Sequence, residues 1–259
     1  MPETSALIGY TGFVGGNICA QRPFTHLYNS RNIGDIDHHA FGLAVCAGVR
    51  AEMWIANQDP AADRARIQRL MDSLKTVSAK KFVLISTIAV YAVPVGVDED
   101  SALDTSHATA YGRNRRELEV FCGERFEDCL IVRLPSLFGA GIKKNVIFDF
   151  LYNNNVDRID SRGVYQFYDL KQVWPDIATA LGAGLRLVNF ATAPATVAEI
   201  ASESFGMTFR NVIPEAPYAS YDMRTKYADL FGGTGGYLAA KPEVLERIKA
   251  FVASQRDPR

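Results

Sequence analysis

The sequence has few of the residues that build disulfide frameworks or metal centres. Only four of its 259 residues are cysteine and four are histidine. The cysteines form no C-x-x-C pair, the histidines show no H-x-x-x-H or H-E-x-x-H spacing, and no secretory signal precedes the first apolar run at Ser5. A disulfide-rich secreted protein and a metal site are therefore not expected, and we predict a cytoplasmic protein with free thiols.

An excess of charge and a long apolar run are also missing. The 28 basic and 29 acidic residues give a formal net charge of -1. Nucleic acids and anionic membranes attract clustered positive charge, so neither is expected as a partner. No apolar stretch approaches the length that spans a bilayer, and no G-x-S-x-G hydrolase motif occurs. A small-molecule substrate is favoured instead.

What the sequence does contain is an alternation of short apolar runs with amphipathic segments. We interpret the runs at residues 6–8, 25–28, 41–45, 82–85, 130–132 and 185–190 as strands, the fourth continuing through residue 91. Only a short helical turn, at residues 33–36, fits between the second and third runs. Asp59 and Pro60 are typical of a helix start. The alternation predicts an α/β fold, a doubly wound parallel sheet with helices on both faces.

Three further segments carry helix signals. Residues 146–152 are predicted to form an apolar helix. The pair Thr196 and Glu199 predicts a capping box. Pro242 begins a terminal helix.

A G-x-x-G-x-x-G turn follows the first strand and leads into a helix. Gly9 allows the tight turn, Gly12 lets the backbone approach a pyrophosphate, and Gly15 allows the helix to pack closely on the strand. Backbone N–H groups at the helix start then face the anion. A turn without a ligand is the alternative. We predict dinucleotide binding by residues of this turn, namely Gly9, Thr11, Gly12, Phe13, Val14 and Gly15.

The choice between NAD and NADP depends on the end of the second strand. An acidic residue there binds the ribose 2′-hydroxyl of NAD, whereas arginine accommodates the 2′-phosphate of NADP. Here the residues are Asn29, Ser30 and Arg31. NADP is therefore the predicted cofactor; NAD stays open, because Arg31 could equally be a solvated loop residue.

Three later segments carry a family likeness. Ser86 to Tyr91 resembles an S-S-x-x-V-Y-G motif, Tyr111 to Arg115 resembles Y-x-x-x-K, and Arg133 to Gly139 resembles R-x-x-x-x-Y-G. By these motifs the chain resembles the extended or atypical branch of the short-chain dehydrogenase/reductase superfamily, which includes NAD-dependent epimerases/dehydratases and nucleotide-sugar reductases. The resemblance covers nearly the whole chain. It implies a Rossmann fold, with residues 1–140 forming the NAD(P)-binding domain and residues 141–259 adding the last strands and a small C-terminal substrate-binding part.

The resemblance assigns catalytic roles to Thr87, Tyr111 and Arg115. A carbonyl that receives hydride builds negative charge on its oxygen, so a phenol that donates a proton and a hydroxyl that binds the same oxygen lower the barrier. A cation one helical turn from the phenol favours the phenolate and reaches the nicotinamide ribose. In the family this cation is lysine. Arginine carries the charge but does not release its proton. An active enzyme, a slow enzyme and a protein without catalysis all remain open.

The resemblance also implies contact residues. The further cofactor contacts are Ala47, Gly48, Ser86, Tyr111, Arg115, Pro135, Ser136 and Leu137. The substrate contacts are Thr87, Ile88, Tyr111, Lys144, Asn145 and Arg224. For Arg224 a surface ion pair is the alternative. A homodimer is expected by analogy.

Two functions follow from these observations. The first is an NAD(P)-dependent oxidoreductase, a reductase or epimerase acting on a carbonyl or secondary alcohol of a sugar or nucleotide sugar. The second is a regulatory or scaffold protein that binds NADP without turnover, because Arg115 replaces the family lysine.

Overall fold

The computed structural model describes residues 4–214 and 217–256. The strands are β1 (Ser5–Ile8), β2 (His26–Tyr28), β3 (Ala40–Cys46), β4 (Ser78–Thr87), β5 (Val95–Val97), β6 (Cys129–Leu134), β7 (Ser136–Phe138), β8 (Val164–Tyr165), β9 (Phe167–Asp169), β10 (Leu187–Asn189), β11 (Ala195–Thr196) and β12 (Asp222–Met223). The α-helices are α1 (Phe13–Gln21), α2 (Met53–Gln58), α3 (Pro60–Leu74), α4 (Ala110–Arg125), α5 (Val146–Tyr152), α6 (Val173–Gly182), α7 (Val197–Glu199) and α8 (Lys241–Arg256).

The chain forms two compact units. Of the described residues, the first comprises 4–93, 101–133 and 173–188. The second comprises 94–100, 134–172, 189–214 and 217–256.

The first unit is built on a six-stranded parallel sheet with the order β10-β6-β4-β3-β1-β2. β1 lies between β2 and β3, so that Ala6 is paired with both His26 and Ala44. The direction of winding therefore reverses at β1. In doubly wound sheets, ligands bind outside the carboxyl ends of the strands at such a point. This sheet confirms the predicted α/β fold. The prediction holds because strands that are apolar on both faces need helices on both sides to cover them.

Most local predictions in the first unit are confirmed. The turn at Ile33–Ile36 is a 3-10 helix. Asp59 caps α3 by accepting a hydrogen bond from the N–H of Ala62 at 3.0 Å. The prediction that the fourth strand continues to residue 91 is wrong. β4 ends at Thr87, whose hydroxyl accepts a hydrogen bond from the N–H of Ala89 at 3.2 Å and starts a 3-10 turn over Ile88–Val90.

The second unit contains three two-stranded sheets, in which β7 pairs with β9, β8 with β11 and β5 with β12. The predicted helix at residues 146–152 is α5, and the predicted capping box between Thr196 and Glu199 is present. α8 begins one residue before Pro242. The side chain of Gln166 is buried and joins two segments of this unit, donating to the carbonyl oxygens of Thr192 and Met223 at 2.6 and 2.7 Å.

All four cysteines are free thiols, as predicted, and burial raises the pKa of Cys46 to about 11. In the ranges that the structure describes, no group of three histidine, cysteine or acidic side chains could hold a metal ion. The helices of those same ranges are all too short or too polar to cross a lipid bilayer.

Candidate active site

The glycine turn lies at the carboxyl end of β1, where the direction of winding reverses. Gly9 has a φ of 87°, and a Cβ on it would lie 2.5 Å from the carbonyl oxygen of Ala47 and 2.6 Å from the Cα of Gly48. Gly12 precedes the first residue of α1 and donates its N–H to the carbonyl oxygen of Gly9 at 2.9 Å. Within the described chain, no side chain caps α1. The start of α1 is thus a backbone cradle, of the kind that binds phosphate groups.

The loop after β2 is held in place by its asparagines. Asn29 donates from Nδ2 to the hydroxyl of Tyr10 at 3.2 Å, and its Oδ1 accepts a hydrogen bond from the N–H of Arg31 at 2.8 Å. The N–H of Asn29 in turn donates to Oδ1 of Asn32 at 2.7 Å. Ser30 and the side chain of Arg31 are exposed. The loop is therefore tied to the glycine turn through Asn29 and Tyr10, and it carries an exposed arginine and no carboxylate in residues 29–31.

The structure brings the three predicted catalytic residues together. Thr87 is the last residue of β4, and Tyr111 lies in the first turn of α4. Thr109 caps this helix by accepting from the N–H of Gly112 at 3.2 Å, while Oδ1 of Asn57 accepts from the N–H of Tyr111 at 3.0 Å. The Arg115 guanidinium lies against the Tyr111 ring, and interactions with the side chains of Thr87 and Arg115 both lower the pKa of the Tyr111 phenol.

Arg115 lies one helical turn after Tyr111, as the spacing predicts, but its guanidinium pairs with Asp63 on α3. Both terminal nitrogens bond to the Asp63 carboxylate, Nη2 to Oδ1 at 3.1 Å. Nη2 also donates to the carbonyl oxygen of Arg50 at 2.6 Å. The guanidinium carbon lies 3.7 Å from the centroid of the Tyr111 ring, a cation–π contact. Nε is buried and has no partner in the part of the chain that is described.

Sequence reasoning missed Asp63. The apolar positions of α3 recur at helical spacing, and Asp63 lies four residues before Ile67 on the same buried face. A carboxylate in that position must be paired, because an isolated buried charge is strongly unfavourable. An acidic residue at an apolar position of α3 was therefore the sequence signal that this helix supplies a partner for a cation elsewhere in the fold.

The environment of Tyr111 acts on its pKa in both directions. Burial raises the pKa, and the nearby charge of Asp63 raises it further. The charge of Arg115 and the interactions of the phenol with the side chains of Arg115 and Thr87 lower it. The pKa remains above the ordinary value of 10.0 for tyrosine, so the phenol is protonated at neutral pH. In this state Tyr111 can donate a proton to a substrate oxygen.

A second buried ion pair fixes the strand end that carries Thr87. Glu119 accepts hydrogen bonds from Nε and Nη2 of Arg133 at 2.9 and 2.8 Å. It also accepts from the hydroxyl of Ser86 at 2.6 Å and from Nη1 of Arg116 at 2.9 Å. The predicted cofactor contact Ser86 therefore uses its hydroxyl inside the protein. Glu119 was not identified from the sequence, although it lies two turns after Tyr111 on α4.

Several predicted contact residues lie in the second unit. Asn145 has a φ of 102° and caps α5, accepting from the N–H groups of Ile147 and Phe148 at 3.0 and 3.3 Å. Its Nδ2 donates to the carbonyl oxygen of Leu137 at 2.8 Å. Ser136 and Leu137 belong to β7, Pro135 precedes it, and Lys144 precedes Asn145.

Arg224 forms a surface ion pair. Its Nη2 lies 3.1 Å from Oδ2 of Asp222, and its guanidinium carbon lies 5.7 Å from the centroid of the Tyr237 ring. About half of its side chain, 51%, is exposed. This arrangement corresponds to the alternative that the sequence left open for Arg224.

The second unit also contains a cavity of about 290 Å³. Its lining combines polar and charged side chains with aromatic rings, including Asn145, Asp149, Arg158, Tyr165, Phe167 and Tyr218. Rings of this kind can stack on a planar ligand, and a guanidinium can pair with a phosphate.

No protein-family model and no curated protein sequence matches this chain. Solved structures do match it. The structure of RMD from Pseudomonas aeruginosa, complexed with NADPH, is 18% identical with a TM-score of 0.72 over 97% of this chain and 99% of that one. A dTDP-4-dehydrorhamnose reductase from Clostridium acetobutylicum is 14% identical with a TM-score of 0.73, over 98% of this chain and 100% of that one. UDP-glucose 4-epimerase from Thermotoga maritima, with UDP-glucose, is 16% identical with a TM-score of 0.69, over 98% of each chain.

At these identities the likeness shows a shared fold. The resemblance that the sequence motifs indicated is confirmed at this level: the chain has the fold of the extended short-chain dehydrogenase/reductase enzymes.

Proposed function

We propose that this protein is an NAD(P)-dependent oxidoreductase, a reductase or epimerase that acts on a carbonyl or secondary alcohol of a sugar or nucleotide sugar. One observation carries the proposal: Tyr111 has the Arg115 guanidinium against its ring, and the start of its helix packs on the turn that follows Thr87. They lie in the same unit as a glycine cradle that follows β1. The fold shared with reductases and epimerases supports this assignment.

The residues of the glycine turn fit a dinucleotide. A Cβ at Gly9 or Gly15 would collide with backbone, so these glycines allow the close packing of the turn, and the start of α1 has backbone N–H groups for a pyrophosphate. Arg31 would pair with a 2′-phosphate, which favours NADP, with NAD as the second choice. The similar structure of RMD is complexed with NADPH. When bound, the cofactor supplies or accepts the hydride.

The side chains of this chain would handle the proton and the substrate oxygen. Tyr111 donates its phenolic proton to the oxygen that becomes the hydroxyl, and Thr87 donates a hydrogen bond to the same oxygen. Arg115 contributes positive charge against the Tyr111 ring. Binding of the nicotinamide ribose by Arg115 stays a prediction and would use Nε, the nitrogen without a partner among the described residues.

The cavity in the second unit supports the proposed substrate class. We assign this cavity to the nucleotide part of a nucleotide sugar, with Tyr165 and Tyr218 against the base and Arg158 toward a phosphate. Asn145, which lines the cavity, and Lys144, which precedes it in the chain, stay predicted substrate contacts. Arg224 stays a prediction too, and ligand binding would require it to leave Asp222.

The activity is tested with purified protein, NADPH and a panel of keto-sugars and nucleotide keto-sugars. Wild type should oxidise NADPH, and Tyr111→Phe should be slower by about 100-fold or more, since general acid catalysis contributes about that much. Tyr152→Phe, a change at an exposed tyrosine on α5, should match wild type. NADPH affinity is measured for all three, so that a weaker cofactor contact in Tyr111→Phe is separated from the loss of the proton donor. Absence of oxidation by wild type, or equal rates for wild type and Tyr111→Phe, would count against catalysis by this site.

A second function is favoured by the Asp63–Arg115 ion pair. With its terminal nitrogens bound to protein acceptors, Arg115 is not presented as the family lysine would be. A protein that binds NADP and signals its state without turnover is consistent with this arrangement. Arg115→Lys separates the two functions: an enzyme adapted to arginine should lose activity, whereas a protein that has lost catalysis should gain some or remain inactive.

A further inference from the structure

We propose that Asp63 is a positioning residue of the catalytic site. It holds the Arg115 guanidinium against the Tyr111 ring, and its negative charge offsets the positive charge of Arg115 at the phenol. This inference rests on the proposed function for the identity of the reaction. The contacts that carry it are independent of substrate.

The geometry leaves the Arg115 guanidinium little freedom. The side chains of Arg115 and Asp63 are only 4% and 5% exposed. Asp63 is itself held by Nδ2 of Asn114, which donates to Oδ2 at 2.8 Å. Nη2 of Arg115 reaches the carbonyl oxygen of Arg50 at 2.6 Å. Contacts from α3, α4 and the loop after β3 together set the plane of the guanidinium against the phenol ring.

The charge balance around Tyr111 follows from these contacts. On its own helix Arg115 is the cation that faces the ring, and α3 contributes the anion Asp63. Thr87 at the end of β4 and Asn57 on α2 contribute neutral hydrogen-bonding groups. Arg66 acts on Asp63 from within α3. Because opposite charges in contact largely cancel at a distance, the pair stabilises a phenolate less than an unpaired cation would.

This arrangement differs in consequence from a lysine. A lysine at position 115 could bring a mobile charge to the phenol and to a ribose. The paired arginine instead packs against the ring and holds it in place, and the phenol keeps its proton at neutral pH. Asp63 therefore decides how strongly residue 115 acidifies Tyr111.

The experiment measures the ionisation of Tyr111 in the cofactor-free full-length protein. Phenolate absorbance is titrated against pH for each protein and for its counterpart carrying Tyr111→Phe, and the difference gives the Tyr111 midpoint. Asp63→Asn keeps the shape of the side chain and removes its charge. It should lower the midpoint by about 1 pH unit, because Arg115 is then unopposed. Arg115→Gln should raise the midpoint, and Asp63→Glu should restore it toward the wild-type value.

Asp72→Asn is the matched control. Asp72 lies on the same helix, but its side chain is 50% exposed and pairs with Lys75. Its replacement should leave the Tyr111 midpoint unchanged. If Asp63→Asn does not fold, Arg115→Gln is compared with the double variant Asp63→Asn/Arg115→Gln, and loss of the Asp63 charge should again lower the midpoint.

An unchanged midpoint in Asp63→Asn, or in the double variant relative to Arg115→Gln, would overturn the proposal and leave Asp63 with a structural role only. The titration requires no turnover, so this result is distinct from a failure of the proposed oxidoreductase activity. If activity is found, the alkaline limb of the NADPH-oxidation rate should move to lower pH in Asp63→Asn.

Discussion

Gly15 packs directly on Gly9. A Cβ on Gly15 would lie 2.1 Å from the carbonyl oxygen of Gly9 and 2.7 Å from its carbonyl carbon, distances that no side chain can occupy. The first turn of α1 therefore packs closely against the end of β1. This contact positions the start of α1, which we propose as the pyrophosphate site.

Gly15→Ala should abolish dinucleotide binding and lower the free energy of unfolding by about 1–3 kcal/mol, because the added methyl group must displace backbone. Gly16→Ala is the control on the same helix, since its Cβ would lie 3.5 Å from the carbonyl oxygen of Tyr10, an ordinary contact. It should bind normally and be as stable as wild type or more so. Fluorescence titration with NADPH and urea denaturation provide the measurements. Normal binding by Gly15→Ala would show that the cradle is not the binding site.

Gly112 has the same kind of constraint beside Tyr111. A Cβ on Gly112 would lie 2.0 Å from the carbonyl oxygen of Ala89, so Gly112→Ala must move the start of α4 away from the turn that follows Thr87. We expect a loss of NADPH-oxidation rate larger than the loss of NADPH affinity. Gly123, on the same helix, has no described atom within 4 Å of its Cβ position. Gly123→Ala should therefore stabilise the protein by about 0.5–1 kcal/mol with unchanged activity. Equal behaviour of the two variants would contradict this account.

Glu119→Gln should be strongly destabilising. It leaves the Arg133 guanidinium, only 2% exposed, without its charge partner, and breaking a buried ion pair from one side costs about 3–5 kcal/mol. Glu117→Gln, two residues earlier, breaks an exposed pair with Arg64 and should change stability little. Urea denaturation of both variants provides the comparison. If both are equally stable, the Glu119–Arg133 pair does not support the end of β4 as described.

Arg31→Ala should weaken NADPH binding by about tenfold or more, because a hydrogen bond to a charged group contributes about 1.5–3 kcal/mol. NADH lacks the 2′-phosphate and serves as the control ligand, so its affinity should hold. The ratio of the two dissociation constants is the measured quantity, at low and high salt. An unchanged ratio would show that Arg31 remains in solvent and does not contact the 2′-phosphate. The choice between NAD and NADP would then be open again.

Asp63 also predicts a dependence of stability on pH. Burial alone would raise its pKa, but hydrogen bonds from Arg115 and Asn114 and the charges of Arg115 and Arg66 lower it below the ordinary value of 3.8. A carboxylate with a lowered folded pKa stabilises the protein fully above its unfolded pKa, and this contribution is lost as pH falls through the folded pKa. The difference in unfolding free energy between wild type and Asp63→Asn should be constant near neutral pH and shrink below about pH 4. A difference independent of pH down to pH 2 would show that the charge of Asp63 does not contribute to the free energy of unfolding.

Local sequence patterns predicted the fold well where the interactions are local. The glycine turn, the Asp59 cap and the Thr196–Glu199 capping box each involve residues no more than six positions apart, and all three are present. The extension of the fourth strand to residue 91 failed for a local reason as well. The Thr87 side chain competes for the N–H of Ala89 and ends the strand there.

The candidate site was predicted only in part. Thr87 and Tyr111 came from motifs, and in the structure the start of α4, which carries Tyr111, packs on the turn that follows Thr87. Asp63 is 52 residues from Arg115 in the chain and entered no motif. Glu119 followed the Y-x-x-x-R segment but had no assigned partner until Arg133 was placed beside it. Pairing of distant charges depends on how α3, α4 and β6 pack, and the spacing of apolar residues in the sequence does not predict that packing.

By itself, the sequence determined the α/β architecture, the glycine turn at the end of β1 and the presence of a phenol with a cation one helical turn away. These features depend on backbone sterics and on the spacing of apolar side chains, which act over a few residues. Only the tertiary structure decided that Arg115 is paired with Asp63 and that Ser86 is bound to Glu119. Buried charges must find partners wherever the packed helices and strands place them, and that requirement is settled when the whole unit folds.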